Sequence, residues 1–140
     1  MTIKDTLAEM PAGTKRILIL GGGFAGAYAA QNLEKQLAGN PEYEIGLISK
    51  ENFVLFTPML HEVAGSDVAV TDIVQPLRKM LQSTHVGIAE VEAIDLEKKQ
   101  VKVRHAAFPD PFEISYDQLV LALGAVTNFF NTPGLEEHAL

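Results

Sequence analysis

The 140 residues contain no cysteine. Disulfides, thiolate metal sites and any cysteine-based redox relay are therefore excluded within them. Positive charge is also scarce: 11 Lys and Arg stand against 18 Asp and Glu, a formal net charge of −7. Nucleic-acid binding needs clustered basic side chains, so no nucleic-acid partner is expected. No apolar run approaches the roughly 20 residues that cross a bilayer. Residues 1–14 mix acids with bases and lack an apolar centre, so they are neither a signal peptide nor an Arg-rich transit sequence. A short disordered leader is expected there. Internal repeats and low-complexity segments are missing too. His61, His85, His105 and His138 are widely spaced with no i, i+4 pair, which favours ordinary surface or half-buried roles and no metal site.

What is present begins with a core-forming composition. Hydrophobic residues make up 47% of the chain, enough for one α/β domain with a real core. The most informative stretch is Lys15-Arg16-Ile17-Leu18-Ile19-Leu20-Gly21-Gly22-Gly23-Phe24-Ala25-Gly26. An aliphatic run ends in G-x-G-x-x-G, and Ala30, Leu33 and Leu37 continue one helical face from Gly26. A buried strand, a tight glycine turn and a helix N-terminus make a site for a diphosphate. Gly21 permits the turn, Gly23 lets the backbone approach phosphate, and Gly26 lets the helix pack on the strand. A glycine-rich turn that binds nothing is the bland alternative, and the strand and helix around the motif argue against it.

Further along, Arg16–Leu20 reads as the first strand, Phe24–Leu37 as the first helix and Tyr43–Ser49 as the second strand. Gly39-Asn40-Pro41 stops the helix. Thr71–Leu81 reads as a helix that Pro76 must begin or kink. Val86–Asp95, Val101–His105 and Phe112–Tyr116 read as short strands, the first two joined by a charged turn at 96–100 and the last two by a turn at 108–111. Leu119–Leu123 is apolar throughout, the pattern of a parallel strand buried on both faces. Asp95 and Asp117 are read as turn or capping residues, Glu136-Glu137 as a solvated turn, and Phe129-Phe130 as core as readily as site. No general acid or base stands out.

The end of the second strand bears on the ligand. An NAD-binding unit usually places an Asp or Glu there to hold the adenosine ribose. Here the position is Ser49, followed by Lys50 and Glu51. Ser49 and Lys50 would suit a 2′-phosphate, as in an NADP-dependent Rossmann dehydrogenase. Equally, the Ser49 hydroxyl would serve an FAD ribose with Glu51 nearby. The strand–helix–strand unit leaves both open, although no Tyr-x-x-x-Lys pattern supports a dehydrogenase of the first kind.

Two further segments carry a resemblance. They are Asn52-Phe53-Val54-Leu55-Phe56-Thr57-Pro58-Met59-Leu60-His61-Glu62-Val63-Ala64 and the run from Tyr116 to His138, which includes Leu119-Val120-Leu121-Ala122-Leu123-Gly124. With the glycine motif, they make 15–140 resemble the N-terminal FAD-binding portion of type II NADH:quinone oxidoreductases, flavoproteins with two dinucleotide-binding domains. The resemblance implies a Rossmann-like FAD/NAD(P)-binding α/β fold, a parallel sheet with an antiparallel β-meander insertion. It implies that Gly21, Gly23, Phe24, Ala25 and Gly26 hold the FAD diphosphate. Ser49 and Lys50 would lie beside the adenosine ribose, and the Val91 backbone beside the adenine. Ala122, Leu123 and Gly124 would turn beneath the cofactor, and Phe56-Thr57-Pro58 would approach its flavin end.

Two positions depart from the family pattern: Ser49 replaces an acid, as in yeast-like members, and Leu123 replaces a Thr. Disulfide reductases of the same superfamily place a redox-active cysteine pair soon after the second strand, where this chain has Phe53–Ala64. A flavin that accepts hydride from NADH and passes electrons to a quinone needs no such nucleophile. The resemblance also implies that 15–140 is the N-terminal part of the FAD domain, with the NADH-binding domain and C-terminal segment absent. The 140 residues alone would then be inactive, hold FAD weakly and self-associate through exposed apolar surface. A cytoplasmic location is expected, with the complete enzyme resting on the inner face of a membrane through its C-terminal region. A non-catalytic FAD-, NADP- or ADP-binding module that works with a partner chain is the rival expectation.

Overall fold

The computed structural model describes residues 13–108, 110–126 and 128–138. The expected leader lies outside them up to residue 12, as do Pro109 of the 108–111 turn and Thr127 of the 116–138 segment. Four strands form a parallel sheet: β1 (Lys15–Leu20), β2 (Tyr43–Ser49), β5 (His85–Ile88) and β9 (Gln118–Leu121), in the order β5-β2-β1-β9. Helix α1 (Phe24–Gln36) crosses from β1 to β2. Strands β3 (Phe53–Leu55) and β4 (Val74–Pro76) make an antiparallel ribbon that encloses two 3₁₀ turns (Thr57–Met59 and Val70–Ile73) and the short α2 (Leu60–Ala64). The one-turn α3 (Leu77–Met80) leads to β5. An antiparallel meander, β6 (Glu90–Asp95), β7 (Gln100–Arg104) and β8 (Phe112–Ser115), comes before β9, and α4 (Leu135–His138) follows it. No helix among the described residues is long and apolar enough to cross a membrane.

Alternation along β1 explains the layering. A strand points successive side chains to opposite faces. Leu18 and Leu20 pack with Ile48 against Val101, Val103, Phe112, Ile114 and Tyr116 of the meander side. Ile19 points the other way, joining Leu47, Ala27 and Ala30 of α1, and Leu77. Both faces of the central strands are therefore covered, as a parallel sheet requires. Leu33 and Leu37 pack against the second cluster, extending the helical face that begins at Gly26. Small residues at the buried face let α1 sit close to the sheet: Gly26, Ala27 and Ala30 are its buried positions.

At the start of β1, Arg16 is fully buried yet charged. Its Nη2 lies 3.0 Å from Glu44 Oε2, its Nη1 donates to the Ser115 carbonyl at 3.3 Å, and its backbone N–H donates to Asp117 Oδ2 at 2.7 Å. A buried cation needs such partners, because removing one strands the other in a low-dielectric interior. Through Arg16, β1 is tied to β2, to the end of the meander and to the start of β9. Asp117, read from the sequence as a turn or capping residue, holds the β1 backbone just before β9 begins.

Three elements differ from expectation. The helix expected over Thr71–Leu81 is a 3₁₀ turn, strand β4 and one turn of α3. Pro76 has no N–H and biases the residue before it to extended backbone. The β4 segment pairs with β3 instead, Val54 facing Gln75, and the helix starts only at Leu77. The single strand expected over Val86–Asp95 is two strands divided at Ala89, whose N–H donates to the Ser49 carbonyl at 2.9 Å. The first half extends the parallel sheet and the second opens the meander. The strand expected over Leu119–Leu123 is β9, at the sheet's edge: Leu119 and Val120 are partly buried against the two core clusters, whereas Leu121 is 61% and Leu123 57% exposed.

Helix α1 also anchors the loop before β5. Glu34 accepts hydrogen bonds from the Ser83 and Thr84 N–H groups at 2.7 Å, from the Thr84 hydroxyl at 2.8 Å and from the Gln82 N–H at 3.2 Å. Burial alone would raise its pKa, but the Ser83 backbone, Thr84 hydroxyl and neighbouring N–H bonds together lower it from 4.5. A carboxylate whose folded pKa is depressed stabilises the fold above its unfolded pKa and loses that contribution as pH falls. Glu34→Ala should therefore cost about 1–2 kcal/mol at neutral pH, measured by urea unfolding. The gap to the parent should close toward pH 3. An equal gap at both pH values would mean that the charge is not its source.

Candidate cofactor site

The carboxyl ends of the parallel strands open into a cleft of about 910 Å³, within the roughly 300–1,000 Å³ usual for cofactor sites. Three segments form it. The β1–α1 turn contributes Gly21, Gly22, Gly23, Phe24 and Ala25; the end of β2 contributes Ser49, Lys50 and Glu51; and the exit of β9 contributes Ala122, Leu123, Gly124 and Ala125. Strand β3 and Thr57 close the far side. This is the crevice outside the carboxyl ends of an open α/β sheet, where such folds bind ligands.

The glycines have different tasks. Gly21 has φ +105°, and a Cβ there would lie 2.1 Å from the Ala122 carbonyl oxygen. A Cβ on Gly26 would lie 1.8 Å from the Gly21 carbonyl oxygen. Both sites therefore require glycine for packing, and Gly26 is outside the cleft lining. Gly23 is different: it is the N-cap of α1 at φ −72°, and a Cβ there would meet nothing within 4 Å. Gly23 is also exposed and lines the cleft.

The N-terminus of α1 has no side-chain cap and no acidic residue in its first turn. Its unpaired N–H groups and positive dipole end suit an anion from outside the chain. Phe24 packs edge-on to Phe56 with ring centroids 5.8 Å apart, joining α1 to the segment after β3. Phe56 therefore lines a separate pocket of about 240 Å³ with Tyr28 and Met80, while Thr57 reaches the main cleft.

The ribose end is charged. Ser49 is buried beneath Gly22, whose added Cβ would lie 2.6 Å from Ser49 Oγ. Lys50 Nζ lies 3.8 Å from Glu90 Oε1, both side chains being well exposed. Val91, expected beside the adenine, is not among the lining residues; its side chain is partly buried against the meander core. The lining also includes Gly22, Phe53, Val54, Leu55 and Ala125. Gly22 comes with the glycine turn, whereas the places of Phe53, Val54, Leu55 and Ala125 depend on the β3–β4 ribbon and the course of the chain after β9.

Residues 15–140 match the pyridine nucleotide-disulphide oxidoreductase family. The chain belongs to that family. The external alternative NAD(P)H-ubiquinone oxidoreductase B4 of Arabidopsis thaliana mitochondria is 34% identical over 137 residues, which cover 92% of this chain and 22% of that protein. The type II NADH:quinone oxidoreductase of Staphylococcus epidermidis is 32% identical over 132 residues, covering 93% and 31%. Among solved structures, NDH2 from Plasmodium falciparum superposes with a TM-score of 0.79 at 26% identity, over 90% of this chain and 25% of that one. The sulfide:quinone oxidoreductase of Aquifex aeolicus gives 0.73 at 29%. The chain thus spans well under half the length of these relatives. The α/β Rossmann-like fold with an antiparallel meander is that of the family, and the resemblance to type II NADH:quinone oxidoreductases holds.

Within this family member, Gly26→Ala would force apart the start of α1 and the end of β1, because backbone meets the new methyl. We expect a loss of at least about 3 kcal/mol in urea unfolding, or no folded protein. Unchanged stability would contradict the close approach.

Proposed function

We propose that the chain is the FAD-binding part of a flavoprotein that moves hydride from NADH to FAD and electrons on to a quinone. The observation that carries this reading is Gly23: it is the N-cap of a helix with no side-chain cap, lines the cleft, and has no atom within 4 Å of where a Cβ would stand. A diphosphate fits where a Cβ would otherwise stand, against the positive end of α1. Gly21 and Gly26 hold the turn, while Phe24 and Ala25 begin the helix that meets the phosphates. Ser49, Lys50 and Glu51 flank the adenosine ribose. Ala122, Leu123 and Gly124 pass beneath the cofactor, and Thr57 with β3 borders its flavin end. FAD, when bound, supplies the ring that accepts hydride. The protein's part is to orient that ring and shield it.

Residues 15–140 make the N-terminal part of the FAD-binding domain in this reading. The NADH-binding domain and a membrane-docking C-terminal segment belong to the complete enzyme, which rests on the inner face of a membrane.

One observation favours a second reading, a nucleotide-binding module completed by another polypeptide. Leu121 and Leu123 on the sheet's edge, with Val126 and Phe130 beyond, leave apolar side chains in water beside the cleft. Such a strip suits a partner chain or self-association.

Gly23→Ala tests the site itself. The substitution meets no atom of the fold, so stability should stay within about 0.5 kcal/mol. FAD affinity, read by flavin fluorescence, should fall at least about tenfold, some 1.4 kcal/mol. Unaltered FAD affinity would remove the diphosphate from this turn.

A further inference from the structure

We propose that the pocket between α1 and the β3–β4 ribbon binds a small tertiary or quaternary organic ammonium ion. The site is separate from the cofactor cleft and stands whether or not a dinucleotide binds there, although Phe24 and Val54 line both. Three aromatic rings surround it. Phe24 and Tyr28 lie one turn apart on α1, and residues at i and i+4 share a helix face. Phe56 meets Phe24 edge-on from the segment after β3. Phe24, Tyr28 and Phe56 stay 40%, 57% and 44% exposed, so each keeps ring surface in water that a ligand can cover. Met59, Ile73, Val74 and Met80 add apolar lining.

Charge decides the class of ligand. Among the described residues, Asp72 of the second 3₁₀ turn is the one charged residue in the lining, and it takes part in no ion pair. An aromatic face is the negative side of a quadrupole and attracts a cation. Rings and carboxylate therefore favour the same sign. A neutral apolar guest would cover the rings but strip water from Asp72 without replacing it. A bare metal ion fits poorly, since the described residues hold no group of three acids or histidines that could bind one. A primary ammonium is compact and strongly hydrated, whereas alkyl groups on the nitrogen give the rings an apolar surface to meet. The volume of about 240 Å³ equals that of about eight waters at roughly 30 Å³ each, the bulk of one branched head group. A phosphate attached to the ammonium would come close to Asp72 in a chain of net charge −7, which opposes the head group of a choline lipid.

The test is a titration of the 140-residue protein with choline, followed by the methyl ¹H–¹³C signals of Met59 and Met80, which line this pocket and not the cofactor cleft. The alcohol 3,3-dimethyl-1-butanol has the same shape without the charge, and sodium chloride holds the ionic strength constant. Both methyl signals should shift saturably with a dissociation constant of about 1–10 mM, the range open to so few atoms. Choline should bind at least about fivefold more tightly than the alcohol. One unit charge about 6 Å away, at an effective dielectric near 60, is worth about fivefold, so Asp72→Asn should weaken choline by that factor and leave the alcohol unaltered. Tyr28→Leu keeps apolar bulk but removes a ring face, and should weaken choline about threefold, while Tyr28→Phe should bind like the parent. Phosphocholine should bind more weakly than choline. If it bound more tightly, a lipid head group would be the ligand, and the assignment to a free ammonium would fall. Equal affinity for choline and the alcohol, or Met59 and Met80 signals that do not move, would overturn the site.

Discussion

Three stretches of backbone meet at Gly21 with no room for a side chain between them. The Gly21 carbonyl lies where a Gly26 Cβ would stand, and the Ala122 carbonyl lies where a Gly21 Cβ would stand. This contact brings the end of β1, the start of α1 and the exit of β9 to one point. The cleft is the space left above that point, so its shape follows from the glycine contact. Hydrogen bonds fix the approach: the Gly21 N–H donates to Ile48 and the Ala122 N–H to Leu20, both at 2.8 Å.

The opposite ends of the same strands are held by different physics. There Arg16 links β1 to Glu44, Ser115 and Asp117 through bonds around a buried guanidinium. Paired charge secures one end of the sheet, and close backbone contact shapes the other. The division suits a ligand site. A buried ion pair holds β1, β2 and β9 together away from the cleft, and the positive end of α1 opens onto the cleft. The meander completes the core under the sheet, and its Glu90 lies against Lys50 at the end of β2.

The parts legible in the sequence are those where local pattern and tertiary role agree. The aliphatic run into G-x-G-x-x-G, the small face of α1, strand β2 and the charged turn after Asp95 all have local causes. Asp95 caps that turn by accepting the Lys98 N–H at 2.8 Å. Elsewhere a partner distant in sequence decides. Pro76 fits the first turn of a helix or a kink, but the neighbour of its segment is β3, so the residues up to it form a strand. Ala89 breaks an otherwise even alternation because its two flanks serve different sheets. The apolar run after Gln118 resembled a central strand, and its position at the edge depends on which strands pair with it. The same limit applies to the site. Gly23 and Ser49 could be marked by motif and Thr57 by resemblance, whereas the cleft-facing places of Val54 and Ala125 arise only once β3 and the β9 exit have folded against the turn.

The most direct test of the account is the amide ¹H–¹⁵N spectrum of the 140-residue protein with increasing FAD. A diphosphate on the α1 N-terminus should shift Gly22, Gly23, Phe24 and Ala25 most, with Ser49 to Glu51 and Ala122 to Gly124 following at the same concentration. The Arg16 end of the sheet should stay unchanged. Saturable shifts centred elsewhere, with the glycine turn silent, would contradict a cofactor site at these strand ends.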